Sequence, residues 1–387
     1  MIKTANRLEQ LSEYYFSSKL EQIRAMNENG EAVINLGIGN PDLPPSPETI
    51  EMLTSAALEP GNHGYHPYRG LTELRNAIAL WYKNTYGVHL DGASEILPLI
   101  GSKEGIFHIT MAFLDEGDNV LVQEPGYPAY AVISRMVNAK VQSYDLTEIN
   151  HWRIDRDQFS NMDLSDIKIL WVNFPHMPTG GDLYFEDIRF LVDLARENQF
   201  LIVNDNPYSL ILNPEPKSIL QLDDCRDVLL ELNSMSKSHN MAGWRLGWVA
   251  GKQTYIDAIL KIKSNIDSGM FKPLQLAAAK ALENSSHWHN IQNQKYLARR
   301  KRVFQLLDLL ECKYSTDQTG MFVWAGIPDQ AADAESFSEH LLLESRVFIT
   351  PGFIFGSNGR KHIRISLCST LEVYDQAIQR IRRVKIS

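Results

Sequence analysis

The chain has 387 residues, and its composition and charge exclude several classes of protein. Hydrophobic residues make up 44% and charged residues 22%, as in an ordinary globular protein and unlike a disordered chain. A formal net charge of -9 disfavours a nucleic-acid-binding protein, because that function depends on clustered Lys and Arg. The basic run 299–302 is predicted to be a solvated helix face. The length favours two structural units over one compact core.

The cysteines and the N-terminal segment indicate the compartment. Cys225, Cys312 and Cys368 are far apart and form no CxxC pair, so we predict neither a disulfide framework nor a metal site. Residues 1–15 mix charged with apolar residues, and no apolar run of transmembrane length follows. We therefore expect a cytoplasmic protein without a membrane segment.

The first predicted elements are helices. Apolar residues at helical spacing predict a helical arm over residues 7–28 and a second helix over residues 71–86, with Gly70 just before it and Gly87 just after it. Residues 36–45 are rich in Gly and Pro, so we expect no regular element there.

Short apolar runs then alternate with amphipathic stretches such as residues 185–197. Six runs have the length and β-branched content of buried strands: 96–100, 119–122, 167–172, 200–203, 228–232 and 246–250. Their separation by helical patterns predicts βαβ units around a mostly parallel sheet flanked by helices, an α/β fold.

The pattern changes after residue 280. A long charged helix is predicted over residues 291–310, and strand-like runs follow at 321–325, 347–350 and 362–367. We predict a large α/β domain over residues 46–280. Residues 281–387 are predicted to form a smaller α+β domain, to which residues 1–45 contribute the N-terminal arm.

Polar residues follow four of the predicted strands directly. Ser102 and Lys103 follow the first strand, and Asn173, Asp205 and the segment 234–237 follow three others. Ligands of open parallel sheets bind at the carboxyl ends of the strands. Four polar strand ends therefore predict one shared site.

Short motifs throughout the chain carry a family resemblance. In chain order they are Gly37-Ile38-Gly39-Asn40-Pro41-Asp42, residues 65–75, Gly101-Ser102-Lys103-Glu104-Gly105, Pro125-Gly126-Tyr127-Pro128, Pro178-Thr179-Gly180, Asp205-Asn206-Pro207-Tyr208, Ser234-Met235-Ser236-Lys237 with Gly243-Trp244-Arg245, and Arg364. Each motif alone is a weak signal. Together, and in this order, they resemble the fold-type I aminotransferases of class I and II, which use pyridoxal 5'-phosphate.

The resemblance implies three catalytic residues. Lys237 would form an imine with the cofactor aldehyde and, once freed, move a proton from the substrate α-carbon. Because an ordinary lysine has a pKa of about 10.4, the site must favour the neutral amine through burial and nearby cations. Asp205 would pair with the pyridine nitrogen and keep the ring protonated and electron-accepting. Tyr208 would hold the phenolic oxygen.

The resemblance also implies the other contacts with the cofactor. A phosphate binds to N–H groups at a helix N-terminus together with a cation. The implied phosphate and ring contacts are Ser102, Lys103, Ser234, Arg245, Tyr127 and Asn173. Tyr65 would reach the phosphate of a neighbouring subunit, so we expect a homodimer.

The substrate would be held by Arg364 and Gly39. Arg364 lies in a strand-like run late in the chain, where the family keeps the arginine that grips the substrate carboxylate, and a planar guanidinium pairs with a carboxylate through two parallel hydrogen bonds. Gly39 would line the substrate through its backbone. No Arg occurs between Arg245 and Arg299, which disfavours strict aspartate specificity. Lys103 and Arg69 leave an acidic or broad substrate range open.

The chain departs from the family pattern at one position. The family usually has Asn before Pro-Thr-Gly, where its amide donates to the cofactor phenolic oxygen, but this chain has Met177. A thioether cannot donate that hydrogen bond. Tyr208, Asn173, His176 or a water molecule would have to replace the amide.

We expect an aminotransferase that moves an amino group from an L-amino acid to a 2-oxo acid in two half-reactions, with glutamate and 2-oxoglutarate or a related pair. One alternative is a lyase that uses the same cofactor for β-elimination, which Met177 favours slightly. Another is a regulator that binds the cofactor without turnover. Such regulators resemble an aminotransferase domain fused to a DNA-binding module, for which about forty residues before the core leave no room.

Overall fold

The strands form one large sheet and two small ones in the computed structural model, which describes residues 2–8 and 15–383. The strands are β1 (Ile34–Asn35), β2 (Ile96–Leu99), β3 (Asn119–Glu124), β4 (Lys140–Asp145), β5 (Ile167–Val172), β6 (Leu201–Asp205), β7 (Leu229–Ser234), β8 (Gly247–Gly251), β9 (Lys313–Tyr314), β10 (Phe322–Gly326), β11 (Val347–Phe348), β12 (Thr350–Pro351) and β13 (His362–Ser366).

Helices precede, connect and follow these strands. They are α1 (Tyr15–Glu28), α2 (Pro47–Leu58), α3 (Thr72–Tyr86), α4 (Ser102–Phe113), α5 (Ala129–Met136), α6 (Arg156–Ser160), α7 (Phe185–Asn198), α8 (Met235–Ser238), α9 (Gln253–Lys263), α10 (Lys272–Ala281), α11 (Ser286–Leu309), α12 (Ala334–Ser345) and α13 (Leu371–Ile381). Within the described residues, no helix combines the length and the apolar character needed to cross a membrane.

The seven-stranded sheet has the order β2-β8-β7-β6-β5-β3-β4. Its neighbouring strands are parallel except at β8, which runs antiparallel to both β2 and β7. All six predicted runs form strands of this sheet, so the predicted α/β architecture is confirmed. The edge strand β4 was not predicted, because its exposed positions carry polar residues and it therefore lacks an apolar run.

Helices cover both faces of this sheet, because alternate strand residues point to opposite sides. On one face, Ile106 of α4, Ile133 of α5 and Ile256 of α9 belong to one buried cluster with the strands. On the other face, Leu74 of α3 and Leu191 of α7 belong to a second cluster. Burial on both faces explains why these strands read as continuous apolar runs.

The C-terminal part forms a four-stranded antiparallel sheet in the order β12-β13-β10-β9. The predicted run 347–350 is divided, since β11 instead pairs in parallel with β1. Helix α1 also contacts this part of the chain, where Lys19 lies 2.6 Å from Glu339 of α12. The predicted helical arm is helical at residues 6–8 and 15–28, and residues 9–14 of that prediction lie outside the described residues.

One prediction about α11 was wrong. Arg299 was expected on a solvated face, but its side chain is buried and pairs through two nitrogens with the two carboxylate oxygens of Asp42, at 2.8 and 2.7 Å. The ion pair joins α11 to the irregular segment 36–45. A run of charged residues does not show which distant acid will pair with one of its members. The burial of Arg299 was therefore not predictable from residue spacing alone.

The sheet topology brings the polar strand ends together. Strands β5, β6 and β7 end at Val172, Asp205 and Ser234, along one edge of the sheet. Because β8 is antiparallel, its first residue, Gly247, pairs with both Ser234 and Leu99 at that same edge. Arg245, which precedes β8, therefore reaches the residues that follow the other strands.

Candidate active site

A cavity of about 430 Å³ lies at this edge of the sheet. It is lined by eleven of the twelve site residues named from the sequence: Gly39, Ser102, Lys103, Tyr127, Asn173, Asp205, Tyr208, Ser234, Lys237, Arg245 and Arg364. The twelfth, Tyr65, is 91% exposed and does not line the cavity. The structure thus brings together side chains that are more than 300 positions apart in the sequence.

Lys237 lies in the short helix α8, directly after β7. Its Nζ donates a hydrogen bond to the backbone oxygen of Gly39 at 2.6 Å. Burial lowers the pKa of the Lys237 ammonium below its ordinary value, and the positive charges of Arg364 and Arg245 lower it further. The surroundings therefore favour a neutral, nucleophilic amine more than bulk water does.

Asp205 is a buried acid, and only one of its two carboxylate oxygens has a hydrogen-bond partner among the described residues. Its Oδ2 accepts a hydrogen bond from the Tyr130 hydroxyl at 2.9 Å, while Oδ1 has no hydrogen-bond partner among the described residues. Burial raises the pKa of the Asp205 carboxyl to about 7. An open, desolvated carboxylate oxygen beside a cavity is suited to a cationic N–H donor, because a buried charge needs a partner.

The N-terminus of α4 forms an anion cradle with Arg245. A Cβ on Gly101 would overlap the Arg245 guanidinium, and a Cβ on Gly247 would lie 2.8 Å from the backbone nitrogen of Ser102. Gly101 and Gly247 thus allow β8, Arg245 and the first turn of α4 to come close together. Free N–H groups, the positive end of the helix and a guanidinium suit a phosphate.

Ser234 caps α8 in this structure. Its Oγ accepts the Ser236 N–H at 3.1 Å and lies 2.9 Å from Ser236 Oγ. Ser236 also lines the cavity, although the sequence analysis did not name it as a site residue. Two adjacent hydroxyls therefore stand at the start of the helix that carries Lys237.

Arg364 of β13 is buried against two aromatic rings. Its guanidinium carbon lies 4.0 Å from the centre of the Phe322 ring and 4.7 Å from that of Phe355. Nη2 donates to the Gly37 oxygen at 2.9 Å, and Nη1 lies 3.2 Å from Met177 Sδ. A guanidinium in contact with aromatic rings keeps its N–H groups for partners in its own plane.

Three of the groups considered as substitutes for the missing amide differ in position. Asn173 Nδ2 donates to the Asp205 backbone oxygen at 2.6 Å, and Asn173 Oδ1 accepts the Met177 N–H at 3.0 Å. His176 contacts Thr179 Oγ1 at 2.7 Å, and it is not among the residues that line the cavity. Tyr208 does line the cavity.

Several residues of the cavity wall were not predicted from the sequence. Tyr130 lies in α5, three positions after Tyr127, and this nearness to a named site residue offered a usable signal. Phe322 and Phe355 offered none, since an aromatic residue in an apolar run reads as core. Ser17 and Leu20 of α1 also line the cavity.

The chain matches known proteins over nearly its whole length. A model of the family "Aminotransferase class I and II" matches residues 31–381. An LL-diaminopimelate aminotransferase of Dehalococcoides mccartyi is 36% identical over 388 residues, covering 100% of both chains. Among solved structures, substrate-bound BacF of Bacillus subtilis is similar with a TM-score of 0.93, at 33% identity and full coverage of both chains. Aspartate aminotransferase of Thermus thermophilus with maleate has a TM-score of 0.92, at 25% identity and full coverage.

The fold and the comparisons together define a fold-type I enzyme dependent on pyridoxal phosphate. The chain belongs to the aminotransferase class I and II family, so it transfers amino groups between amino acids and 2-oxo acids. The cavity fits the cofactor, because it combines the open Oδ1 of Asp205, the cradle of Gly101 and Arg245, and a lysine amine of lowered pKa.

The contact between Tyr130 and Asp205 leads to a prediction. Replacing Tyr130 with Phe removes a donor that stabilises the Asp205 carboxylate, so the kcat of the holoenzyme should fall about tenfold. Tyr144→Phe is a matched control: its hydroxyl is also buried and donates to the Trp171 oxygen at 3.1 Å, away from the cavity lining. Steady-state kinetics that gave both variants the same kcat would contradict a special role for Tyr130.

Proposed function

We propose that Lys237 holds pyridoxal phosphate covalently and transfers the proton, while Asp205 and Arg364 bind its ring nitrogen and the substrate carboxylate. The observation that carries this proposal is that one cavity joins a partly buried lysine of lowered pKa to a buried acid with an open oxygen. The phosphate would bind at the backbone N–H groups of Ser102 and Lys103, the Ser234 hydroxyl and the Arg245 guanidinium, and Tyr127 would contact the ring.

When bound, pyridoxal phosphate supplies an aldehyde that reacts with amines and a ring that accepts electrons from the substrate α-carbon. Asp205 keeps the ring nitrogen protonated through its negative charge. Arg364, with the backbone at Gly39, orients the substrate so that its α-hydrogen points to Lys237 Nζ. That amine, whose neutral form is favoured by burial and by two nearby guanidinium groups, accepts the proton from the α-carbon.

Tyr208 is the side chain best suited to hold the phenolic oxygen of the cofactor. It lines the cavity, whereas the Asn173 amide bonds to Asp205 and His176 does not line the cavity. Met177 contributes a sulfur next to Arg364 and no donor. We infer that the phenolic oxygen of the cofactor has one side-chain hydrogen-bond donor in this protein, whereas it has two in relatives that carry Asn at the position of Met177.

This difference is testable with the holoenzyme. The amide added in Met177→Asn would donate a hydrogen bond to the phenolic oxygen of the cofactor. It would therefore favour the anionic form of that oxygen and the deprotonated state of the bound cofactor. The pH midpoint of the visible absorbance should then move down by about one unit, the value of one hydrogen bond to a charged group. Met177→Leu, which adds no donor, should leave the midpoint unchanged. An unchanged midpoint in Met177→Asn would mean that another group already satisfies the oxygen.

The cavity wall favours a donor amino acid with an uncharged side chain. Leu20, Ile38, Phe322 and Phe355 supply apolar surface, and Asp205 is the one carboxylate among the described lining residues. The diaminopimelate in the names of the relatives carries a distal ammonium, for which the described lining has no second acid. Lys103 is exposed and lines the cavity, so it is suited to the distal carboxylate of 2-oxoglutarate as acceptor.

A donor panel tests this substrate class. With 2-oxoglutarate as acceptor, kcat/KM for phenylalanine and leucine should exceed that for aspartate and LL-diaminopimelate at least about tenfold. Lys103→Met should weaken the use of 2-oxoglutarate but not of pyruvate. Diaminopimelate as the best donor would overturn the proposed class. Ammonia released without any acceptor would favour the lyase alternative.

Arg364 can be tested separately from cofactor binding. Arg364→Ala leaves a carboxylate unpaired in a dry cavity, so kcat/KM should fall roughly a thousandfold while the absorbance of the bound cofactor persists. Arg300→Ala is the control, since Arg300 bonds to the Gln318 oxygen and does not line the cavity. A fall of less than about tenfold would contradict the assignment.

We also propose a homodimer in the cytoplasm. Exposure of 91% at Tyr65 supports a contact with a partner subunit, where its hydroxyl would reach the partner's phosphate. Three buried, unpaired cysteines suit a reducing compartment. We propose two domains, residues 46–280 and residues 281–387 with the arm of residues 1–45; the location of the seven-stranded sheet in the first range and of the four-stranded sheet in the second supports this division. Sedimentation of the holoenzyme as a single chain would contradict the dimer.

A further inference from the structure

Phe322 occupies a central place in the cavity wall. It begins β10, which pairs antiparallel with β13 so that Trp324 lies opposite Arg364. Strand residues two positions apart point to the same face, so Phe322 and Arg364 are diagonal neighbours on one side of the sheet. The Phe322 side chain is buried, with 7% exposure.

The Phe322 ring contacts three residues that the proposed function uses. Its centre lies 4.0 Å from the Arg364 guanidinium carbon and 5.9 Å from the centre of the Tyr208 ring, which it meets at 72°. Its far edge abuts Gly39, where an added Cβ would overlap the ring carbon Cζ. The backbone oxygen of that glycine accepts the hydrogen bond from Lys237.

We propose that Phe322 is a positioning residue that orients the Arg364 guanidinium and fixes the segment at Gly39 above Lys237. The inference rests on the proposed carboxylate role of Arg364. Phe322 and Phe355 both lie against the guanidinium, with ring centres 4.0 and 4.7 Å from its central carbon, so they restrict its orientation and leave its N–H groups to meet a carboxylate. The close fit to Gly39 limits how far the segment approaches Arg364.

A purely structural role would give a different result. If Phe322 were only a core residue, its loss would lower the free energy of unfolding and leave the carboxylate affinity of the folded enzyme unchanged. Phe337 is the matched comparison, because it is buried to 6% exposure in the same hydrophobic cluster but lies on α12 and does not line the cavity.

The first experiment measures carboxylate binding to the holoenzyme. For Phe322→Leu, titration calorimetry with the non-reacting 3-phenylpropionate should give a Kd about tenfold higher than that of the parent enzyme. In steady-state kinetics, the rise in KM for the amino donor should exceed the fall in kcat. Phe337→Leu should lower stability to urea with an unchanged Kd. An unchanged Kd in folded Phe322→Leu overturns the inference. An unchanged Kd in Arg364→Ala would instead overturn the proposed function.

The second experiment uses the contact with Gly39. The φ of Gly39 lies outside the left-handed region, so Gly39→Ala is opposed by the Phe322 ring and not by the backbone. Gly39→Ala should raise the Kd for 3-phenylpropionate about tenfold or more. For the double variant Gly39→Ala/Phe322→Leu, the Kd for 3-phenylpropionate should be lower than the value obtained by multiplying the fold-changes of the two single variants. Simple additivity would contradict the proposed contact.

Discussion

The hydrogen bond from Lys237 Nζ to the Gly39 oxygen is the contact on which the rest of the site depends. It joins the end of a central strand to an irregular segment about 200 positions earlier in the sequence. The same segment is held by the Arg299–Asp42 ion pair at one end and by the bond from Arg364 to the Gly37 oxygen at the other. The amine is thus kept at the cavity wall, where partial burial lowers its pKa and favours its nucleophilic form.

The sheet topology explains why the charges meet around this amine. Parallel strands end at one edge, which places Asp205 and Lys237 in one cavity, while the antiparallel β8 begins there and adds Arg245. The small sheet supplies Arg364 from the opposite wall. Because Asp205 and Arg364 are buried and Lys237 is partly buried, their charges act on one another more strongly than they would at the surface.

Much of this arrangement was predictable from the sequence. Buried strands read as apolar runs, and strand ends followed by polar residues marked the cavity. Edge strand β4 was missed because its exposed side chains hide the pattern. Arg299 was misassigned because its partner, Asp42, lies 257 positions away. Phe322 could not be distinguished from core residues in the sequence, because its proposed role depends on which residues its ring contacts and not on its own chemistry.

The most direct test of the account is to map where the cofactor is attached. Borohydride treatment of the yellow holoenzyme, followed by peptide mass mapping, should place the reduced label on Lys237. Lys237→Ala should carry no label and lose nearly all turnover, while its free energy of unfolding stays close to that of the parent. A label on another lysine, or turnover retained by Lys237→Ala, would contradict the central claim.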